Sequence, residues 1–296
     1  MASWKGKTKG GASGYMFFVP ILKYSGLTSA YFLLRFFSAY FLLFAPTSFK
    51  NMYAFYHKAL RFNFIKSVRY IYRNYFIFGQ ILLDKTAIMA GFKTKLTFDF
   101  EGEEHLHKMI EEKTGGFLIS AHIGNFEMAG HLLKRLNARI NIVMYDVEHE
   151  KIKHYLAGIL ENSNVNFIKI KEDMSHIYEL REAIMNKEII CIHGDRFVDK
   201  ANVMSMDFLG NQALFPTGPF ILPIRYRMPV SFVFAMKESK KHYHFYATPG
   251  KVFKQGAIRH HNEASVEIIS EYVEQVERMI RKYPEQWFNY YDFWKA

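Results

Sequence analysis

Cysteine is nearly absent from this sequence, and its scarcity excludes one class of protein at the outset. Cys191 is the single cysteine among 296 residues. No internal disulfide can form, so a disulfide-stabilised secreted domain is excluded and a reducing environment is expected. Half of the residues are hydrophobic and 17% are aromatic, which excludes a disordered chain. The length suits one large domain or two small ones.

Several motifs that would assign a function are also missing. No Gly-x-Ser-x-Gly occurs, which argues against an esterase with a nucleophile elbow. Gly6-Lys7-Thr8 lacks the glycine that a phosphate-binding P-loop needs five residues earlier, where Met1 stands. His242 and His244 alternate on a predicted strand and lack a nearby carboxylate or thiolate set, and we interpret them and the pair His260 and His261 as surface residues, so no metal site is expected.

Acidic residues are almost missing from the first third of the chain. Residues 1–98 contain fourteen lysines and arginines and one acid, Asp84, so their net charge is +13, whereas the whole chain carries +11. The same segment holds 25 of the 51 aromatic residues. A basic and aromatic segment suits an anionic membrane surface or nucleic acid. Since no nucleic-acid recognition motif is present, we expect a membrane surface and no nucleic acid.

The chain also lacks an uninterrupted apolar run long enough to span a bilayer. Pro20, Lys23, Gly26 and Arg35 interrupt the first apolar stretch, and the longest uncharged run within it, 36–49, has 14 residues. A spanning helix needs about 20. Monotopic or shallow hairpin insertion is therefore expected, with a tilted span and ordinary core helices as alternatives. Residues 52–83 are predicted to form one long helix with a basic face opposite an apolar face, typical of a membrane-surface helix. The alternative is an ordinary amphipathic helix that covers a core and exposes its charged face to solvent.

From about residue 93 the pattern changes to alternating strands and helices. The seven apolar, β-rich runs lie at 96–100, 116–121, 140–145, 165–170, 188–193, 230–235 and 242–247. Helices are predicted near 103–113, 125–136, 150–161, 174–186, 217–226 and 263–282, the last ending before Pro284, and a long loop is predicted after the fifth run. Alternation of this kind predicts an α/β fold with a mostly parallel central sheet flanked by helices. We therefore divide the chain into a membrane-associating helical segment, 1–92, and an α/β domain, 93–296. Ligands of such sheets bind beyond the carboxyl ends of the strands.

One strand end carries a combination of residues suited to acid–base chemistry. The apolar run Gly116–Ala121 delivers His122, Gly124 permits a turn, Asn125 can cap a new helix, and Glu127 lies in its first turn. A carboxylate that accepts a hydrogen bond from one imidazole nitrogen fixes the tautomer and lets the other nitrogen act as a general base. The spacing therefore favours deprotonation of a hydroxyl or an amine, although a structural histidine at a strand end is the alternative.

This His-x4-Glu arrangement resembles the His-x4-Asp/Glu box of the lysophospholipid and lipid A acyltransferase superfamily. Gly194-Asp195-Arg196 resembles the second block of that family, and the stretch from Phe208 to Gly218 resembles the third. The closing YPEQWFNYYDFW resembles the family's Pro-x-Gln-Trp segment but lacks the basic residues usual after the tryptophan. The resemblance spans roughly residues 30–294.

The resemblance implies an acyltransferase on the cytoplasmic face of the inner membrane. It would move a fatty acyl group from acyl carrier protein or coenzyme A to a lipid acceptor, such as a lipid A precursor or a related glycolipid or aminolipid, without a further cofactor. His122 would be the general base with Glu127 as its orienter. The substrate-binding candidates are Asn125, Asp195, Arg196, Thr217 and Gly218. Among them, Arg196 would bind an anion or the oxyanion, Asp195 would orient Arg196, and the turn at Thr217 and Gly218 would receive an anionic group. The alternative is a non-catalytic lipid-binding protein with the same fold.

Overall fold

The computed structural model describes residues 12–125, 138–145, 164–171, 173, 175–197, 201–253 and 261–294. Nine strands lie in these ranges: β1 (Thr97–Glu101), β2 (Gly116–Ser120), β3 (Ile140–Tyr145), β4 (Val165–Ile170), β5 (Ile189–His193), β6 (Val203–Phe208), β7 (Asn211–Pro216), β8 (Val230–Lys237) and β9 (His242–Ala247). Seven of them form one sheet in the order β1-β9-β8-β2-β5-β3-β4, and β6 pairs with β7 in a separate hairpin.

The sheet confirms the predicted fold class. Neighbouring strands pair in parallel throughout the sheet except at β8 and β9, which are antiparallel. All seven predicted strands are present. Helices α4 (Glu103–Glu111), α5 (His176–Met185), α6 (Gly218–Tyr226) and α7 (His261–Lys282) confirm four predicted helices. The helices predicted at 125–136 and 150–161 lie outside the described residues, apart from Asn125 itself.

Alternation along the buried central strand builds the two sides of the core. Phe117 and Ile119 belong to the largest apolar cluster, with side chains of α5, α6 and α7. Leu118 belongs to a second cluster, with Leu106 and Met109 of α4. All five residues of β2 are buried, as expected of a central strand covered on both faces. The carboxyl end of β2 is therefore held rigidly by the core.

The β6–β7 hairpin was not predicted, because this region was interpreted as a long loop. Its turn lies at Leu209 and Gly210, both with positive φ. Phe208 and Phe215 face inward, with ring centroids 5.6 Å apart, and Phe208 also contacts Trp287. The alternation of apolar and polar residues from 203 to 208 is a strand pattern, but a hairpin outside the main sheet does not continue the α/β alternation.

The single helix predicted over 52–83 is wrong. Helix α2 (Pro46–Ala54) passes into a π-helical turn (Phe55–Ala59), and α3 (Phe64–Met89) begins separately. Arg61 between them has φ 56°, which a continuing helix does not allow. Asn63 caps α3, since its side chain accepts a hydrogen bond from the Lys66 backbone N–H at 2.8 Å. Lys58 and Arg61 therefore lie before α3 and not on its face.

The first helix, α1 (Ala12–Phe44), consists of two arms that fold back on each other. Gly26 between the arms has φ 73° and ψ 179°, a conformation essentially restricted to glycine. The rings of Phe17 and Phe18 contact the ring of Phe37 at centroid distances of 5.5 and 5.2 Å. Twenty residues of straight helix would separate those positions by about 30 Å. We call this pair of arms the α1 hairpin.

The α1 hairpin packs on α3, and α3 packs on the sheet. Leu34 lies directly over Gly79, where a Cβ atom would overlap it. Ile81 of α3 contacts the cluster that contains Tyr243 and Phe245 of β9. The N-terminal helices are thus a layer of the folded body. The proposed division of the chain at residues 92 and 93 stays a prediction.

A buried ion pair joins α3 to the sheet. Asp84, the one acid of the first 98 residues, is fully buried and lies 2.5 Å from the Lys237 Nζ atom of β8. The hydroxyls of Tyr31 and Tyr243 also donate to the Asp84 carboxylate. Burial raises the pKa of Asp84 and lowers the pKa of Lys237. Because Tyr31 belongs to the α1 hairpin, this cluster connects three separate parts of the chain.

Candidate active site

The sheet brings two of the sequence blocks together. β2 and β5 are parallel neighbours, with Ser120 opposite His193. The Gly194 N–H donates to the Ser120 carbonyl at 2.9 Å, which continues the pairing past the strand ends. His122 follows β2 and Asp195 follows β5, so both residues emerge at the same edge, where ligands of parallel sheets bind.

Asp195 holds His122 through both the backbone and the side chain. Its Oδ2 atom accepts a hydrogen bond from the His122 backbone N–H at 2.9 Å. Its Oδ1 atom lies 2.7 Å from His122 Nδ1. The Asp195 side chain is 3% exposed, whereas that of His122 is 19% exposed. The pair therefore has a buried carboxylate and an imidazole that is accessible in part.

The environment favours a neutral imidazole and an ionised carboxylate. Burial lowers the pKa of His122, and the Arg196 charge lowers it further, against the opposing effect of Asp195. Burial by itself would raise the pKa of Asp195, but His122, its hydrogen bond and Arg196 together bring that pKa below its ordinary value. An aspartate that accepts from Nδ1–H fixes the tautomer in which Nε2 is the basic nitrogen.

His193 lies beside the pair, and sequence reasoning gave it no role. Its ring centroid is 4.4 Å from that of His122, with 43° between the ring planes. Burial, and then the neighbouring His122, lowers the pKa of His193 to about 3. His193 therefore lines the site as an uncharged imidazole near neutral pH and adds no positive charge beside His122.

Arg196 lies between the site and the C-terminal segment. Its Nη2 atom donates to the Phe288 carbonyl at 2.7 Å. Its guanidinium carbon lies 5.9 Å from the Tyr291 ring centroid. These contacts fix the position of the positive charge close to His122 and Asp195, whose pKa values it lowers.

The C-terminal segment 284–294 supports the turn that carries His122. The Phe288 N–H donates to the His122 carbonyl at 3.0 Å, and the Gly124 N–H donates to the Gln286 carbonyl at 2.9 Å. Gln286 in turn pairs with the Lys237 backbone, donating at 2.8 Å and accepting at 2.9 Å. Trp287 is 2% exposed and pairs with Ile123. The aromatic ending of the sequence is therefore a structural support of the site.

Gly124 makes this close approach possible. Its φ is 61°, and a Cβ atom there would overlap the Ala235 carbonyl oxygen. Asn125 follows it, is 1% exposed, and donates its backbone N–H to the same carbonyl at 2.6 Å. A glycine at 124 is thus required by both backbone conformation and space.

The remaining predicted site residues divide into two groups. Thr217 precedes α6, and its backbone N–H and hydroxyl donate to the Asn202 carbonyl. Gly218 is the first residue of α6, and Phe220 in the first turn packs against Gly194. The start of α6 therefore adjoins the loop that carries Asp195. Glu127 lies outside the described residues, so its predicted contact with His122 stays a prediction.

From the sequence we expected Asp195 to orient Arg196, and its contact with His122 was not predicted. The signal was present, since both residues follow buried strands of a parallel sheet. The sequence alone does not reveal that β2 and β5 are neighbours, because β3 and β4 intervene along the chain. Among the described residues no group of three or more histidine, cysteine or acidic side chains is arranged to hold a metal ion.

Comparison with known proteins identifies a family for this chain. A family model described as bacterial lipid A biosynthesis acyltransferase matches residues 69–296. The match begins within α3 and includes β2, β5 and the C-terminal segment, and thus every predicted site residue. No curated protein matches the chain.

Proposed function

Because the chain belongs to the bacterial lipid A biosynthesis acyltransferase family, we propose that it transfers a fatty acyl group from an acyl thioester to a lipid acceptor. The donor would be acyl carrier protein or coenzyme A carrying the acyl chain. The acceptor would be a hydroxyl or amine of a lipid A precursor or a related glycolipid or aminolipid. The observation that carries this proposal is the His122–Asp195 pair at the edge of a parallel sheet.

In the proposed reaction His122 acts as the general base. Nε2 removes the proton of the acceptor O–H or N–H while the oxygen or nitrogen attacks the thioester carbonyl carbon. The tetrahedral intermediate collapses with cleavage of the C–S bond, and the protonated imidazole returns its proton to the departing thiolate. The products are the acylated lipid and the free thiol, with no acyl-enzyme intermediate. General acid–base catalysis of this kind contributes about 10² to 10⁴ in rate.

Asp195 and Arg196 would supply the electrostatic part of the reaction. The Asp195 carboxylate would stabilise the imidazolium that forms transiently at His122. The fixed guanidinium of Arg196 would attract an anionic group of a substrate or stabilise the developing oxyanion. We propose Asn125, Thr217 and Gly218 as further contributors to substrate binding, with the start of α6 facing an anionic group. Glu127 would assist His122 as a second carboxylate.

The proposed location is the cytoplasmic face of the inner membrane. A reduced single cysteine and thioester donors suit the cytoplasm, and the basic first third of the chain suits an anionic leaflet. Among the described residues, the segment Met16–Phe44 has the total length and apolar composition of a membrane span, although Gly26 divides it into two arms. We propose that this region keeps the enzyme beside its lipid acceptor.

Acyl transfer by the purified protein tests the proposal. The assay would follow a radiolabelled acyl group from acyl carrier protein to lipids extracted from a Gram-negative inner membrane. His122→Ala and Glu127→Ala are expected to lower the rate by at least about 10², whereas Glu267→Ala, a change on the exposed surface of α7, leaves it unchanged. No transfer above background by the wild-type protein would favour the non-catalytic lipid-binding alternative, and undiminished transfer by both site variants would contradict His122 as the general base.

A further inference from the structure

The α1 hairpin presents an apolar surface that the protein itself does not cover. Only 22% of the residues in its most apolar 18-residue stretch are buried. Phe36 is 63% exposed, Leu43 is 73% exposed and Phe44 is 67% exposed. The outward residues are Met16, Phe17, Tyr24, Phe32, Phe36, Phe37, Tyr40, Leu43 and Phe44. Contiguous apolar surface of this kind marks an interaction site.

Further exposed apolar side chains lie at the start of α3, which α2 connects to the α1 hairpin along the chain. Tyr53 packs against both Phe49 and Phe64, at centroid distances of 6.2 and 6.0 Å. Phe64 is 63% exposed and Ile65 is 78% exposed. We call the outward residues of the α1 hairpin together with Phe64 and Ile65 the apolar face.

The exposed charges of residues 12–98 all have one sign. The only acid before residue 99, Asp84, is buried, so no negative side chain from the first 98 residues reaches this surface. Between residues 12 and 70 the exposed bases are Lys23, Arg35, Lys50, Lys58, Arg61, Lys66 and Arg69. Arg35 lies between Phe32 and Phe36, and Lys66 follows Ile65. An apolar surface with interspersed cations is complementary to an anionic lipid leaflet.

The geometry of the α1 hairpin is unsuited to crossing the bilayer. Its arms have about 14 and 18 residues, or about 21 and 27 Å, and each is shorter than the hydrocarbon core of about 30 Å. The inner side of the second arm is attached to α3 at both ends, through Tyr31 at Asp84 and Phe41 at Tyr75. A crossing arm would have to break these contacts or draw α3 and the sheet into the membrane.

We propose that the apolar face lies in one leaflet of an anionic bilayer, parallel to its surface, with the α1 hairpin inserted monotopically. The turn at Gly26 then stays at the level of the headgroups, beside the exposed Lys23. This inference rests on the membrane association in the proposed function but not on acyl transfer. Every molecule would then contact the bilayer with the same face. The site at the sheet edge would therefore have a fixed position relative to the leaflet.

Vesicle binding tests the apolar face. In flotation with phosphatidylglycerol and phosphatidylcholine vesicles, the triple variant Phe32→Ser, Phe36→Ser and Leu43→Ser should bind at least about tenfold more weakly. These side chains are exposed, so the fold should persist. The matched control replaces three exposed apolar residues of α5, Ile177→Ser, Tyr178→Ser and Met185→Ser, and should bind normally. The proposal would be overturned if the two triple variants weakened vesicle binding equally, or if neither of them weakened it.

Charge and catalysis can be separated in the same assay. Lys58→Gln with Arg69→Gln should weaken binding to anionic vesicles severalfold and leave binding to pure phosphatidylcholine unchanged. Lys108→Gln with Lys187→Gln, also exposed, is the control. His122→Ala should bind vesicles as wild type does even when acyl transfer is lost. Wild-type protein that floats normally but transfers no acyl group would contradict the enzyme proposal and leave the membrane inference intact.

Cysteine labelling distinguishes monotopic insertion from crossing. Burial raises the pKa of Cys191 to about 12, and a Cys191→Ser background removes it. Ser25→Cys, beside the turn, and Tyr178→Cys, on α5, are then exposed to a membrane-impermeant maleimide added outside sealed vesicles. Both should react at comparable rates without detergent. Protection of Ser25→Cys until detergent is added, with Tyr178→Cys reactive, would show a crossing hairpin and overturn the inference.

Discussion

At the scale of single residues, Asp195 determines what His122 can do. Its two oxygens fix the backbone and the ring of His122 together, so the imidazole has one orientation and one favoured tautomer. His193 keeps the surroundings uncharged, because its pKa is depressed to about 3. A buried neutral histidine with an ionised partner is the usual form of a general base near neutral pH.

Replacing Asp195 by Asn should slow the reaction and move its pH dependence. The neutral form of His122 is active, so the rate falls on the acid side as the imidazole becomes protonated. Asp195 favours the protonated form and raises the pKa of His122. Its loss should therefore shift the acid limb of kcat/KM to lower pH, with kcat lower by about 10² to 10⁴.

The control for this measurement is Asp207→Asn, a change of an exposed acid on β6. It should leave both the rate and the pH profile unchanged. An acid limb of Asp195→Asn that coincides with that of wild type, or moves to higher pH, would contradict the assigned contact between Asp195 and His122.

The residues of the site were predictable to different degrees. His122 could be found from its place after an apolar strand, and Gly124 from the turn that must follow. The partner of His122 among the described residues, Asp195, could not, since strand order depends on packing of the whole sheet. Gln286 and Trp287 resembled a family segment in sequence, but their role beneath His122 depends on contacts about 160 residues away along the chain.

At the scale of elements, the N-terminal helices pack on the sheet with one side and, on the other side, present the apolar face that we propose contacts a membrane. The amphipathic pattern correctly indicated two different faces. It could not locate the breaks, because Arg61 at φ 56° and Gly26 at φ 73° interrupt helices whose side-chain pattern continues. Local backbone conformation therefore decided the number of helices where periodicity did not.

The Asp84–Lys237 pair is expected to respond to mutation in a non-additive way. Asp84→Asn and Lys237→Met should each lower the free energy of unfolding by about 3 to 5 kcal/mol, because each leaves a buried charge without its partner. The double variant should lose clearly less than the sum of the two single losses. Urea unfolding of the four proteins measures this coupling.

An exposed ion pair provides the comparison for the buried one. Lys251 contacts Glu267 at 2.8 Å on the surface, and Lys251→Met should cost about 1 kcal/mol or less. Additive losses at Asp84 and Lys237 would contradict the direct pairing that connects α3 to the sheet.

At the scale of the whole molecule, the charge distribution divides the chain into a basic N-terminal third, which carries the apolar face, and a nearly neutral remainder, which carries the candidate active site. The first 98 residues, which carry the apolar face, have a net charge of +13, whereas the residues after 98 carry a slight net negative charge. The sequence predicted the sheet class and its seven strands because buried strands and helices have distinct periods. It did not predict the strand order or the β6–β7 hairpin, which depend on long-range packing.

Lipid analysis of a strain that lacks this protein is the most direct test of acyl transfer at His122. Mass spectrometry of its extracted lipids should show the loss of one acylated species and the accumulation of a precursor that lacks one acyl chain. Wild-type protein supplied in trans should restore the species, and His122→Ala, expressed at the same level, should not. An unchanged lipid profile in the deletion strain, or full restoration by His122→Ala, would contradict acyl transfer at His122.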